Sequence, residues 1–139
     1  MREIKFRGKS IITSEWVYGY YWTNENGNHF IRQTVDLNGC FTISDTEVDE
    51  NTIGQYTGLK DKNGVEIYEG DVINCNNRNF IVEFRKERGG FFPFACGDGC
   101  GCCEDEVISS YAIEELTKII GNIWDNPEQL KESDNKCQN

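Results

Sequence analysis

The sequence predicts a mainly β fold: an N-terminal β-meander, then an SH3-like small β-barrel, with short C-terminal helical turns. Three observations carry this. Aromatic residues alternate at strand spacing, as in Trp16, Tyr18, Tyr20 and Trp22. Turn dipeptides punctuate the chain at Asn26-Gly27, Asn38-Gly39 and Asn63-Gly64, where tight turns favour Asn and Gly. The 139 residues hold 14 glycines and only 2 prolines, a composition suited to many short strands. A chain of this length fits one domain, or one with a small appendage, and buries roughly 65–70% of its unfolded surface. With 12% aromatic and 27% charged residues, it is globular rather than disordered.

The meander covers residues 1–47. Glu15–Trp22 reads as a strand with one aromatic face. Asn26-Gly27 reads as a type I′ hairpin turn, and the return strand runs from His29 to Val35. Asn38-Gly39 turns the chain again, into Cys40–Ile43. Asp45–Asn51 has few apolar residues and reads as an acidic linker, and Thr52–Tyr56 as a short strand.

The barrel region covers residues 48–132. Gly58, Asn63-Gly64 and Gly70 punctuate its first half, and Asp71 reads as a turn former whose side chain caps its own backbone. Val72–Cys75 and Phe80–Phe84 are its strands, turned at Asn76–Asn79, with Phe80, Val82 and Phe84 on one face. Gly89-Gly90 ends that hairpin, ahead of the bulky Phe91–Phe94. Ile113 and Leu116 suit one or two helical turns over Ser110–Leu116. Lys118–Trp124 is rich in isoleucine and returns to the sheet. Asn126 and Pro127 start a short terminal helix over Glu128–Glu132. Residues 133–139 read as a flexible tail.

The net charge is −10. So acidic a chain is disfavoured on a phosphate backbone unless its charge is segregated. Some segregation exists: Lys5, Arg7 and Lys9, with Arg85, Lys86 and Arg88, are the candidate nucleic-acid contacts, while Asp98 and Glu104–Glu106 belong to an acidic stretch. The start of the chain lacks an apolar signal region, and no run approaches a membrane span. The expected location is therefore the bacterial cytoplasm, without a membrane partner, where the 7 cysteines suit reduced thiols.

Cys96, Cys100, Cys102 and Cys103 form the one cluster that invites chemistry. Their C-x₃-C-x-C-C spacing could wrap a soft metal such as zinc, but it lacks the paired knuckles of zinc sites. Adjacent acids raise thiol pKa values and oppose a poised nucleophile. A disulfide or an inert loop stands beside the metal reading, and no cofactor is expected. His29 is the only histidine, so His-based triads have little to work with. It sits on a predicted strand and reads as structural. Nothing pairs two carboxylates in a pocket, and no phosphate loop is present. No catalytic residue is assigned, and the chain reads as a non-enzyme. The aromatic face of Trp16–Trp22 could stack bases or sugars; as a large apolar surface it more simply builds a core or a subunit interface.

Gln55-Tyr-Thr-Gly-Leu-Lys-Asp-Lys-Asn-Gly64 followed by Glu66-Ile-Tyr-Glu-Gly-Asp71 resembles the signature of the YopX family of phage and prophage proteins. Arg2–Gly8 with Trp16-Val-Tyr-Gly19 is similar to that family's N-terminus, and Ile120–Glu128 to its C-terminal pattern. The resemblance covers nearly the whole chain in order. It implies a β-rich fold with an SH3-like part, an origin in phages of mainly Gram-positive hosts, and assembly into oligomers. It supplies no catalytic residues, and Cys96–Cys103 departs from the family pattern. The expected function is a phage or prophage accessory protein, a non-catalytic interaction or oligomeric assembly module. Its partners would be further copies of itself and an unidentified phage or host protein. A nucleic-acid contact protein and a metal-binding Cys-loop protein are the alternatives.

Overall fold

The computed structural model describes residues 3–75, 77–85, 90–95 and 110–127. The fold is mainly β, as the turn and alternation patterns predict, with one short α-helix among the described residues. The chain divides into two compact units, Met1–Tyr56 and Thr57–Asn139.

The first unit holds β1 (Phe6–Lys9), β2 (Trp16–Thr23), β3 (His29–Leu37) and β4 (Cys40–Glu47), and β5 (Gly54–Lys60) begins in it. The strand order is β4-β3-β2-β1-β5. The pairings of β1 with β2 and β5, of β2 with β3 and of β3 with β4 are all antiparallel, so the meander expected from the turn signals is present. Asn38 and Gly39 take φ 53 and 88, as a type I′ turn requires, and Leu37 pairs with Cys40 across them.

The other hairpin differs from the expectation. Gly27 has φ 82 but Asn26 is not left-handed, and the pairing ends at Thr23 and His29. The reason is Asn24, whose side chain accepts the backbone N–H groups of Asn26 and Asn28 at 3.1 and 2.9 Å. That side-chain turn holds a five-residue loop in place of a two-residue one.

The expected acidic linker is also ordered. β4 runs on to Glu47, Val48 bridges Ser10, and Glu50–Thr52 forms a 3₁₀ turn capped by Asp49. Thr52 Oγ1 accepts the N–H of Lys9 at 2.9 Å and donates to Asp49 O at 2.7 Å. The segment therefore docks on β1. This places residues 48–56 in the first compact unit, whereas the sequence draws its boundary between 47 and 48.

The second unit carries the rest of β5, then β6 (Glu66–Tyr68), β7 (Asp71–Cys75), β8 (Arg78–Arg85), β9 (Gly90–Ala95), α1 (Ser110–Leu116) and β10 (Lys118–Asn122). The expected SH3-like region is a four-stranded antiparallel sheet ordered β10-β7-β8-β9; among the described residues its pairing runs open from β10 to β9. Lys118–Asn122 returns to this sheet beside β7, as its isoleucines predict.

Ile67, Ile73, Cys75, Phe80, Val82 and Ile113 form its core, with Leu59 and Ile119 packed against them. Phe80 and Val82 are buried, while Phe84, on the same face, is half exposed toward the strand end. Ile113 faces the core but Leu116 is exposed, because the helix ends there and Thr117 turns inward to bond Ile113 O. Asp71 is buried and accepts the Tyr68 N–H at 2.8 Å, the turn role expected of it. The expected helix over Glu128–Glu132 and the tail 133–139 lie outside the described residues.

Candidate interaction surface

Alternation along β1–β4 divides the first unit's side chains between two faces. Cross-strand register then decides which neighbours share a face. Lys9 pairs with Trp16 and Arg7 with Tyr18. Tyr20 pairs with Arg32 and Trp22 with Phe30. Arg32 pairs with Asp45, Thr34 with Ile43 and Asp36 with Phe41. One face thus carries the aromatic set of β2, three cations and the apolar residues of β4.

The opposite face carries Phe6, Tyr21, His29 and Ile31, and Ile31 is fully buried. Phe6 and Tyr21 rings lie 5.6 Å apart, and Tyr21 stacks on His29 at 5.8 Å. The Tyr21 hydroxyl lies 2.6 Å from His29 Nδ1, and His29 Nε2 lies 2.9 Å from Glu50 Oε2. Each ring nitrogen of His29 thus has a polar partner, Nδ1 the Tyr21 hydroxyl and Nε2 the Glu50 carboxylate. The row ties β2 and β3 to the 3₁₀ turn, which is a structural use of the histidine.

The aromatic face is open to solvent rather than packed as a core. Tyr18 is 44% exposed, Tyr20 65%, Phe41 75% and Ile43 61%. Its two tryptophans are clad by cations. Arg7 Cζ lies 4.5 Å and Lys9 Nζ 5.5 Å from the Trp16 ring, and Arg32 Cζ lies 5.3 Å from the Trp22 ring. Trp22 also stacks on Phe30 at 4.7 Å. Arg32 donates to both oxygens of Asp45, at 2.9 and 3.0 Å, and Trp22 Nε1 donates to the same carboxylate at 3.1 Å. Hydrogen bonding from Arg32, then from Trp22, holds the Asp45 carboxyl below its ordinary range, and the bond to Asp45 raises Arg32.

Of the six basic residues singled out by sequence, the structure brings Arg7 and Lys9 together on one ring. Arg7 is buried against Trp16, and Lys9 reaches the same ring. Lys5 lies 5.2 Å from the Tyr56 ring and 3.3 Å from Glu3. These three cations are engaged with the protein's own rings and carboxylates. Arg85 ends β8; its side chain, with Lys86 and Arg88, lies outside the described residues. Cys96, Cys100, Cys102 and Cys103 lie outside them too. Among the described residues no group of His, Cys, Asp and Glu is arranged to hold a metal ion.

Sequence reasoning missed Arg32, Asp45 and the exposed pair Phe41 and Ile43. The only signal was period-2 alternation in Cys40–Asp45, which marks a face without saying whether it is covered.

Comparison with protein families then shows what the chain is related to. The model described as YopX protein matches residues 5–131. The chain belongs to the YopX family. A YopX relationship was expected from the motifs around Gln55–Asp71, and the match extends well beyond them. The chain is also similar to the crystal structure of protein EF1440 from Enterococcus faecalis, at 25% identity and a TM-score of 0.62. That likeness covers 94% of this chain and 99% of the other. No curated protein matches the chain. Among the described residues, no helix is long and apolar enough to cross a membrane.

Proposed function

We propose that this YopX-family chain is a phage- or prophage-encoded accessory protein that acts as a non-catalytic assembly module in the bacterial cytoplasm. It associates with copies of itself and, through them, presents a surface to a phage or host protein. The observation that carries this reading is the exposed sheet face of the first unit. Tyr18, Tyr20, Phe41 and Ile43 all stand in solvent there. Exposed apolar side chains gathered on one face favour an interaction surface over an ordinary solvated one. The binding of Arg7, Lys9 and Arg32 onto Trp16 and Trp22 supports the same reading, because those cations stiffen the face.

Sedimentation equilibrium of the purified chain over a concentration series tests it. The expected result is a mass that rises from one chain toward a defined multiple. A single-chain mass at every soluble concentration would overturn the self-assembly reading.

A further inference from the structure

We infer that two copies of this chain join edge to edge through β4, in antiparallel register centred on Thr42. The inference rests on the self-assembly reading and names the surface and the register.

A sheet edge presents unpaired backbone groups that template pairing with another chain, and proteins usually blunt such edges. The other described edges are blunted. β6 has only three residues. β10 carries Lys118 and a register shift between Ile119 and Gly121. β9 carries Pro93, which has no N–H to donate. β4 has no proline and no register shift; its charges, Asp45 and Glu47, lie at its far end, where Glu47 O also accepts the Ile11 N–H at 3.1 Å. It is eight residues long and pairs with β3 without a register shift from Leu37–Cys40 to Phe30–Glu47. Cys40–Ser44 holds no charge and no proline, and every residue in it is exposed.

The hairpin geometry fixes which backbone groups face outward. Leu37 and Cys40 flank a two-residue turn and so form a hydrogen-bonded pair with each other. Even-numbered residues of β4 therefore point their backbone groups at β3, and Phe41, Ile43 and Asp45 point theirs at the open edge. A two-fold partner strand centred on Thr42 sets Phe41 opposite Ile43 of the other copy, and Ile43 opposite Phe41. Both contacts are apolar and both use outward backbone groups. In this register the partner's chain leaves the edge at its Asn38-Gly39 turn, so the pairing spans Cys40–Ser44, a stretch without charge on either copy despite the net charge of −10, and it stops short of Glu47, whose carbonyl accepts the Ile11 N–H at 3.1 Å. Centring on Ile43 instead sets Phe41 opposite Asp45, and centring on Asp45 sets two carboxylates face to face. A two-fold strand pair is self-complementary, as a closed dimer requires.

Thr42 would meet its own counterpart in a non-hydrogen-bonded pair, the closer of the two antiparallel spacings. That proximity supplies the test. The full chain is made as Thr42→Cys in a Cys40→Ser background, oxidised mildly, and compared with Cys40→Ser alone; peptide mass spectrometry locates the link. A 42-to-42 disulfide in most of the dimer fraction is expected. Ile43→Lys and Ile43→Pro, each checked for a parent-like far-UV spectrum, are expected to lower the sedimentation mass from two chains to one. Ile43→Pro leaves the inward ladder to β3 in place, because the lost N–H points outward. If the parent self-associates but no 42-to-42 link forms, or both edge variants stay dimeric, the β4 register is overturned while self-assembly stands. If the parent stays a single chain throughout, both readings fall together.

Discussion

At Gly70 the backbone takes φ 91, and the ring of Trp124 fills the space a Cβ would need. Gly70 N also donates to Val82 O, and its carbonyl accepts from Ile123 N, at 2.8 and 3.0 Å. The residue thus serves a turn, a close approach and two hydrogen bonds together. Gly70→Ala meets left-handed strain worth about 1–3 kcal/mol, with the ring overlap in addition. A urea midpoint lowered accordingly is the expected outcome; an unchanged midpoint would show that Trp124 moves aside at no cost. Asp45 makes a pH prediction at the same scale. Its folded pKa is depressed by Arg32 and Trp22. Its contribution to stability is therefore present above the ordinary aspartate range and lost as pH falls through the depressed value. Thermal unfolding of the parent and of Asp45→Asn should differ at neutral pH and converge in acid. A gap that persists in strong acid would assign the effect to packing of Trp22 instead.

Elements in this chain are held by polar side chains that bond backbone at a distance. Asp61 is buried; its Oδ1 accepts the N–H groups of Asn63 and Val65, both at 2.9 Å, and its Oδ2 accepts from Ile119 N at 3.1 Å. One carboxylate closes the β5–β6 turn and pins the start of β10. Asp61→Asn turns an acceptor into a donor against a donor, so a loss of about 1–3 kcal/mol is expected. Hydrogen exchange should localise it, with faster exchange at Val65 or Ile119 and little change in β2–β3. Uniform exchange across the chain would mean that the clamp reports global stability alone. Thr52 plays the equivalent part in the first unit, between Lys9 and Asp49. Neither clamp stood out in sequence, because an Asp in a turn or a Thr after an acidic run has many uses. Partners 58 and 43 residues away fix the use in these two cases.

For the whole molecule, the net charge of −10 and the uncharged Cys40–Ser44 stretch of β4 pull in opposite directions. Self-association brings two acidic bodies together, so added salt should strengthen it by screening their repulsion. Nucleic-acid binding would weaken steeply with the same salt. Sedimentation mass and DNA retention across one salt series separate these responses, and a mass that falls with salt would count against association through Cys40–Ser44. Much of the molecule was legible from residue order. Period-2 alternation set the strands, Asn38-Gly39 set its hairpin, and the Gln55–Asp71 motifs pointed to the YopX family, because these depend on local backbone geometry and chain order. Other features depend on what lies across a gap in sequence. Asn24 replaced the expected turn at Asn26-Gly27 by bonding two backbone N–H groups. Register brought Arg32 to Asp45 and Arg7 to Trp16. Strand order left β4 on the edge, with Phe41 and Ile43 in solvent. Alternation tells which residues share a face, but only the tertiary arrangement decides whether another layer covers that face and which strand has no neighbour.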